Sequence, residues 1–545
     1  MAAVNLTPDF SDALLRSESW PMNTVFKTVS TYPEALKALK SRLDSIQRDV
    51  FEDTASEWEI PIRDLSTSTG QGVEKCNAHS PASLLEWLGL AFEWKATFTA
   101  PESVHLTKKD PKCRFICLYA PHSRAKLKFS REMLTYILTF HQVMPAFIDF
   151  LPIFGLQTEP SDLGFSAFRE QSNFHDHPSG IVMPQLERSG KHYQICYNLK
   201  CVVNKSSSKE DISLDEWSIR QSVIHHQFDV VTGKTLWITI KGNKELQQRF
   251  RALTDRNARP QDKSFQTPED CLRSSLSSHL MFCHWATEDW RFHIQWLEKV
   301  VDRQSIMAVY GPSGIGHCHK IYLPQDIQDL QGWEEKVRRG IASLEGNVDV
   351  MLALITFYQR LARNKEFPMR RSCGSDITSF IREIESIIAD FKMQVRRAEF
   401  LTRTISDRRE LVVQHLQSQS ANRTERLNRN MEQEQIMMLI VTVVTLIYLP
   451  ATFVSTFFST DVIKYQDADT PHGNFSKVAM ERWLEVTLPL TALTGGIALW
   501  ARSWMQKRRT AEELDADSHR IGSESGLVGK SFRQLSLLPL YTKKL

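Results

Sequence analysis

Ile436-Met437-Met438-Leu439-Ile440-Val441-Thr442-Val443-Val444-Thr445-Leu446-Ile447-Tyr448-Leu449-Pro450-Ala451-Thr452-Phe453-Val454-Ser455-Thr456-Phe457-Phe458 contains no charged side chain. A helix needs about 20 mostly apolar residues to cross a hydrocarbon core, and this stretch supplies them. A second apolar run follows from Trp483 to Trp504, with Glu485 near its outer edge, where a carboxylate reaches water. Nothing comparable stands out earlier in the chain. The pair predicts a C-terminal hairpin of two transmembrane helices, 436–458 and 483–504, joined by an outer loop over 459–482. Trp483, Trp500 and Trp504 suit the two interfaces. Gly495-Gly496 lets another helix approach closely.

Orientation follows from Lys and Arg. Arg423, Arg426 and Arg429 precede the first span, and Arg502, Lys507, Arg508 and Arg509 end or follow the second. The loop mixes signs, with Asp461, Asp467, Asp469 and Glu481 against Lys464, Lys477 and Arg482. The positive-inside rule therefore expects both termini in the cytosol and the loop outside or in a lumen. Asn474-Phe475-Ser476 in that loop is a glycosylation sequon on the side where glycosylation occurs, although such tripeptides also arise by chance.

Across all 545 residues, 42% are hydrophobic and 24% charged, as in an ordinary globular protein, so a sizeable water-soluble part is expected before the hairpin. A net charge of +3 is too balanced to point to nucleic acid. Met1 to Phe10 has neither a basic start nor an apolar run, so the N-terminal part is expected in the cytosol. The nine cysteines, an odd number between Cys76 and Cys373, then read as reduced thiols.

A long stalk feeds the first span. Ile377, Ile381, Ile384, Ile388, Phe391, Val395 and Ala398 alternate steps of four and three, and the register continues more weakly through Ile405, Val412 and Leu416. That is a helical seam packing against partner helices. Neither Pro nor Gly interrupts Ile377 to Leu449, so one helix of about 120 Å, at 1.5 Å per residue, can run into the membrane. Gln417 to Gln435 is polar on all faces. A second amphipathic helix precedes the stalk, with Val337, Ile341, Leu344, Val348, Leu352 and Ile355 on one face. The linker Asn364 to Ser375, with Pro368 and Gly374, reads as the turn between antiparallel helices.

Stepping through the first span by three and four meets Gln435, Met438, Thr442, Thr445, Leu449, Thr452, Thr456 and Ser459, a largely polar face opposite Ile, Val and Phe. Two readings stay open. Thr and Ser in membrane helices bond their own i−4 carbonyl and pack between helices. Alternatively, the stripe lines a pore, with Thr445, Leu449, Thr452 and Thr456 forming rings in a symmetric oligomer. Pro450 cannot donate to the carbonyl of Leu446, so a bend or a freed carbonyl is expected there. Ser459, Thr460 and Asp461 follow at the outer mouth. Asp461 is either a solvated loop residue or, in a ring, an oxygen collector for hard divalent cations such as hydrated magnesium.

Between the ends, residues 76–330 read as an α+β domain. Arg114 to Tyr119 and Tyr193 to Val203 are strand-like, and Ile219 to Val230 and Thr235 to Lys241 flank the turn Val231-Thr232-Gly233-Lys234. Ser130 is placed to cap a helix towards Val143, and His279 to Val301 reads as one further helix. Residues 1–75 are polar and mixed, with a helix at Pro33 to Phe51; 331–435 hold the helix pair and stalk; 505–545 form a basic, then mostly disordered tail in which Phe532 to Tyr541 is apolar enough to dock.

Several motifs argue against themselves. Gly311-Pro312-Ser313-Gly314-Ile315-Gly316-His317-Cys318, after strand-like Ile306 to Tyr310, has phosphate-loop glycine spacing, but His317 and Cys318 stand where Lys and Ser or Thr are needed. An enzyme with a membrane anchor therefore has no supporting constellation. His317-Cys318-His319, His175-Asp176-His177, Cys113 with Cys117, and His279 with Cys283 lack the paired spacing of a structural zinc site. No tightly bound cofactor is expected.

The order of stalk, first span, short loop, second span and basic end resembles the CorA superfamily of magnesium channels. Leu449-Pro450-Ala451-Thr452-Phe453-Val454 is similar to the family's Met-Pro-Leu-Thr-Phe-Ile stretch. In that register the family's Gly-Met-Asn signature falls on Ser459-Thr460-Asp461 and is absent; its Asn, which meets hydrated magnesium, corresponds to Asp461. Tyr136-Ile137-Leu138-Thr139-Phe140-His141-Gln142-Val143-Met144-Pro145 and Ser218-Ile219-Arg220-Gln221-Ser222-Val223 resemble a divergent fungal CorA-like branch. The resemblance, over most of residues 80–505, implies a funnel-shaped homopentamer in membrane lipid, first spans around the pore, and passive passage of divalent cations. Magnesium would be cargo and also a regulatory ion held by cytosolic acids between subunits. The alternative is a chain of the same shape that does not conduct and serves as a membrane-anchored sensor or adaptor.

Overall fold

Along Cys113–Tyr119 successive side chains enter two different cores. Cys113, Phe115, Cys117 and Tyr119 join one cluster, while Ile116 and Leu118 join the other. A strand that buries both faces in this alternation lies in the middle of a layered domain. The computed structural model describes residues 4–28, 31–65, 73–94, 101–122, 124–156, 162–175, 182–204, 217–255, 257–310, 321–459, 477–500 and 503–504. Two units divide the chain, Met1–Leu416 and Gln417–Leu545.

The first unit is built on β1 (Val4–Asn5), β2 (Ile60–Leu65), β3 (Val73–Ala78), β4 (Leu90–Trp94), β5 (Pro101–Leu106), β6 (Cys113–Tyr119), β7 (Phe168–Asn173), β8 (His192–Asn204), β9 (Trp217–Asp229) and β10 (Thr235–Lys241). The main sheet has the order β3-β2-β6-β10-β9-β8-β7, and β1-β5-β4 form a smaller one. β6 and β10 run parallel; the other neighbours in the main sheet are antiparallel. The hairpin expected at Val231-Thr232-Gly233-Lys234 is present, with Phe228 opposite Thr235. Gly233 turns the chain at φ +73°, and a Cβ there would meet the Pro268 backbone at 2.7 Å.

The helices are α1 (Pro8–Leu15), α2 (Pro33–Ser45), α3 (Gln47–Val50), α4 (Pro81–Leu88), α5 (Arg131–His141), α6 (Glu245–Leu253), α7 (Pro260–Lys263), α8 (Pro268–Thr287), α9 (Trp290–Tyr310), α10 (Pro324–Arg363) and α11 (Gly374–Phe458). One sheet face packs against α6 and α8 to α11, the other against α1, α4 and α5. Ser130 caps α5, accepting from the Met133 backbone N–H at 3.2 Å.

Four expectations change. The single helix over His279 to Val301 is two helices, because Asp289 adopts φ +64° between α8 and α9. Ile306 to Tyr310 is the end of α9 rather than a strand, so the glycine-rich run has no strand before it. The helix at Pro33 to Phe51 divides at Ile46 into α2 and α3. Among the described residues, the stretches long and apolar enough to span a membrane lie in α11 and also in α10, where the stretch is mostly buried and serves as core.

The N-terminal segment is integral to the domain. Phe10 and Trp20 are fully buried in the second core, and β2 sits between β3 and β6. The 75/76 boundary falls inside β3.

The stalk seam packs as expected. Ile377, Ile384, Ile388, Phe391, Ala398, Ile405 and Val412 are buried in the first core, with Ile381, Val395 and Leu416 against it. Charged pairs fasten the same stretch: Arg273 Nε to Asp376 at 2.9 Å, Arg397 Nη2 to Glu298 at 2.6 Å and Arg409 Nη1 to Glu334 at 2.8 Å. In α10, Val337, Leu344, Val348 and Ile355 are buried, but the seam passes through Met351, and Leu352 is exposed.

Candidate functional site

The hydroxyl stripe lies on the last part of α11, within the second unit. Helical geometry places Thr442, Thr445, Leu449, Thr452, Thr456 and Ser459 within an arc of about 100°. All six are exposed in the single chain. Each threonine donates its hydroxyl to the turn behind it: Thr442 to the Met438 carbonyl at 2.7 Å, Thr445 to Val441 at 2.6 Å, Thr452 to Tyr448 at 3.0 Å and Thr456 to Thr452 at 2.9 Å. With the proton spent inside the helix, the oxygen keeps its lone pairs as acceptors.

Packing within the chain uses a different face. Pro450 and Val454 are buried and Leu446 is half-buried, while the helix over 477–500 contributes buried Thr487. These positions on the first span sit roughly 120° round the helix from the stripe's centre. Trp483 Nε1 donates to Ser455 Oγ at 3.0 Å. The backbone-bonding half of the first reading of the stripe is thus present, whereas most of the intrachain packing falls elsewhere. An open groove of about 520 Å³ runs beside the stripe, with Leu449, Thr452 and Thr456 on one wall and Leu490 and Thr494 on the other. α11 continues through Pro450 without a break. Among the described residues of the second span, a Cβ on Gly495 or Gly496 would meet nothing within 4 Å, which leaves that surface open to another helix. Glu485, Pro489 and three threonines make this the less apolar of the two expected spans.

Ser459 is exposed and ends the helix, its N–H donating to the Ser455 carbonyl at 3.0 Å. Thr460, Asp461, Asp467 and the sequon at Asn474 lie outside the described residues, as do the 311–320 run and the tail beyond Trp504.

The metal decoys are accounted for chemically. His279 spends both ring nitrogens, Nδ1 on Tyr197 Oη at 2.7 Å and Nε2 on His226 Nδ1 at 3.2 Å. Burial pushes its pKa down to about 3 and pushes the Cys283 thiol up to about 12. Cys113 and Cys117 are buried on one face of β6, and burial raises Cys117 to about 12. His175 is exposed and lies 3.2 Å from Glu366. Among the described residues, no group of three His, Cys, Asp or Glu can hold a metal.

Sequence reasoning missed the Leu446, Pro450 and Val454 contact face. Its signal was there as an i, i+4 apolar row, but such rows cannot be told from lipid-facing ones inside an apolar segment.

Residues 12–309 match a family described as CorA-like transporters. No curated protein matches the chain. Similar solved structures include the CorA magnesium transporter from Methanocaldococcus jannaschii, 12% identical with a TM-score of 0.33, covering 80% of this chain and 96% of that one. Another is the full-length CmaX protein, 12% identical with a TM-score of 0.30, covering 83% of this chain and all of that one (100%).

Proposed function

We propose a function from one premise: this chain belongs to the CorA-like transporters. Its role is then a membrane channel that passes divalent cations passively, with magnesium as cargo and no nucleotide hydrolysis. The observation that carries this reading is the orientation of the stripe hydroxyls. Thr442, Thr445, Thr452 and Thr456 each give their proton to the helix and keep their lone pairs as acceptors. A hydrated cation turns the protons of its waters outward, so a column of acceptors can hold it without stripping its shell. In a ring of identical chains each hydroxyl is multiplied, and Ser459, Thr460 and Asp461 form the outer mouth.

The assembly is a homo-oligomer in lipid, a pentamer on the family pattern, with both termini cytosolic. Magnesium also acts between the cytosolic domains as a regulatory ion. A Cys at Asp467 tests the orientation: an impermeant thiol reagent should label it from outside intact cells or lumenal-side-out vesicles, and labelling only after permeabilisation would reverse the topology.

The direct test is magnesium entry into liposomes holding the purified protein, followed with an internal dye. Asp461→Ala and Thr452→Leu should each slow entry by about tenfold or more, the equivalent of one lost charge-assisted contact. No entry from a correctly assembled oligomer favours the second reading, a non-conducting sensor or adaptor, for which the replacement of Gly-Met-Asn by Ser459-Thr460-Asp461 speaks.

A further inference from the structure

The cytosolic unit contains a hollow, with charged side chains among its lining, that the transport reading does not use. It lies among β6, the end of α5, and the β8–β10 ends, with a volume of about 70 Å³, roughly two waters' share of liquid. Arg114, Arg188, His141, Asp110 and Gln227 line it.

The two arginines are held in place through only part of each guanidinium. Arg114, 3% exposed, is gripped through Nε and Nη2 by Asp64, its register neighbour on β2, at 2.9 and 2.7 Å. Arg188 gives Nε to Asp110 Oδ2 and Nη1 to the Phe140 carbonyl, each at 2.6 Å, and stacks over the Phe140 ring at 4.8 Å. Among the described residues, Arg114 Nη1, Arg188 Nη2, His141 Nε2, Asp110 Oδ1 and Gln227 Oε1 have no hydrogen-bond partner. Arg114 Nη1 and Asp110 Oδ1 stand 3.8 Å apart, too far for a direct bond. Buried polar atoms are costly when unmet, so five on the residues that line one hollow call for an occupant.

The composition of the wall selects it. Arg114, Arg188 and Lys234 outnumber Asp110 and Asp229 along the wall, which disfavours a cation. The two guanidinium ends require acceptor oxygens, and Asp110 Oδ1 and Gln227 Oε1 require a donor. An oxyanion without protons would satisfy the arginines but repel Asp110. We propose that this hollow binds a small oxyanion that still carries a proton, of the hydrogen-phosphate class, with the arginines on its oxygens and Gln227 Oε1 accepting from its hydroxyl.

The test is equilibrium dialysis of the purified full chain in detergent with labelled inorganic phosphate, with sulfate as the proton-free competitor. One saturable phosphate per chain is expected, with sulfate competing at least about tenfold more weakly. Gln227→Leu removes an acceptor but leaves the Asp110–Arg188 pair intact, and should weaken phosphate about tenfold at unchanged circular dichroism, the loss typical of one hydrogen bond to a charged ligand. Absence of saturable phosphate, sulfate competing equally, or full affinity in folded Gln227→Leu would each leave a merely hydrated hollow. The sulfate comparison decides the matter even if the variant fails to fold, and neither measurement depends on whether the chain conducts.

Discussion

From Gly374 to Leu416 the long helix α11 keeps one face in the core, whereas from Gln417 to Ser459 the same helix exposes almost every side chain. Both halves are helical, so helix propensity does not separate them. The pattern does. The first half repeats apolar residues in steps of three and four and finds α8, α9 and α10 as partners. The middle, Gln417 to Gln435, is polar all round, and the apolar segment beyond it is nearly all exposed in the single chain. An apolar stripe asks for protein, while an apolar cylinder with one polar line asks for lipid outside and water or further protein along the line.

The largest test of this contrast is a pair of truncations. Ile384→Ala should cost about 2–5 kcal/mol of stability, because the side chain is fully buried. Met431→Ala, on an exposed residue, should stay within about 0.5 kcal/mol. Denaturant midpoints of the full chain in detergent measure both. An equal loss at Met431 would mean that the polar stretch is packed against another copy.

Acid sharpens the contrast next. Burial holds His225 and His279 down at about 3, and both are fully buried in the packed unit. The unfolded chain takes up protons from about pH 6.5 downward, and the fold refuses them until about 3. Stability therefore falls as pH drops through that window, by about 1.4 kcal/mol per pH unit for each such histidine. Among the described residues neither ring nitrogen of His225 has a hydrogen-bond partner, so His225→Phe should flatten the slope without destabilising the protein at neutral pH. Urea titrations at pH 7 and pH 5 check this; identical slopes in parent and variant would remove burial of His225 as a cause. No histidine lies between Gln417 and Ser459, so helicity there should outlast the acid loss of the packed unit.

The smallest effect separates ion pairs. The two-pronged Arg397–Glu298 contact joins α11 to α9, while Arg429–Glu425 is an exposed pair within one helix. Double-mutant cycles should give about 1 kcal/mol for the first and about 0.3 kcal/mol for the second. Equal couplings would show that the stalk pair is no better held than a surface one.

The legible parts of the fold were local. The stalk seam, the β9–β10 hairpin and the Ser130 cap each follow from a few neighbouring residues, and each is present. The stripe was legible as a face, but the direction of its hydroxyls needed coordinates. The break at Glu288-Asp289 was not legible, since neither residue is Gly or Pro and the left-handed turn at Asp289 is imposed by context. The structural weight of the N-terminal segment escaped for a related reason. Leu6, Phe10 and Leu14 recur at steps of four, but the row is short and its neighbours are polar, so only burial against the sheet reveals it, with Trp20, as core.

By itself, the sequence determined properties that depend on spacing along the chain: a charge-free segment of membrane length, a seam of period three to four, and hydroxyls on one face. Tertiary structure decided what depends on closure over long separations. It set Arg114 beside Asp64 through β2–β6 register, gathered Asp110, His141, Arg188 and Gln227 around one hollow, and turned Leu446, Pro450 and Val454 rather than the stripe into the intrachain contact. The physical reason is that periodicity names a face, but the occupant of that face is chosen by which other surfaces the folded chain brings to it.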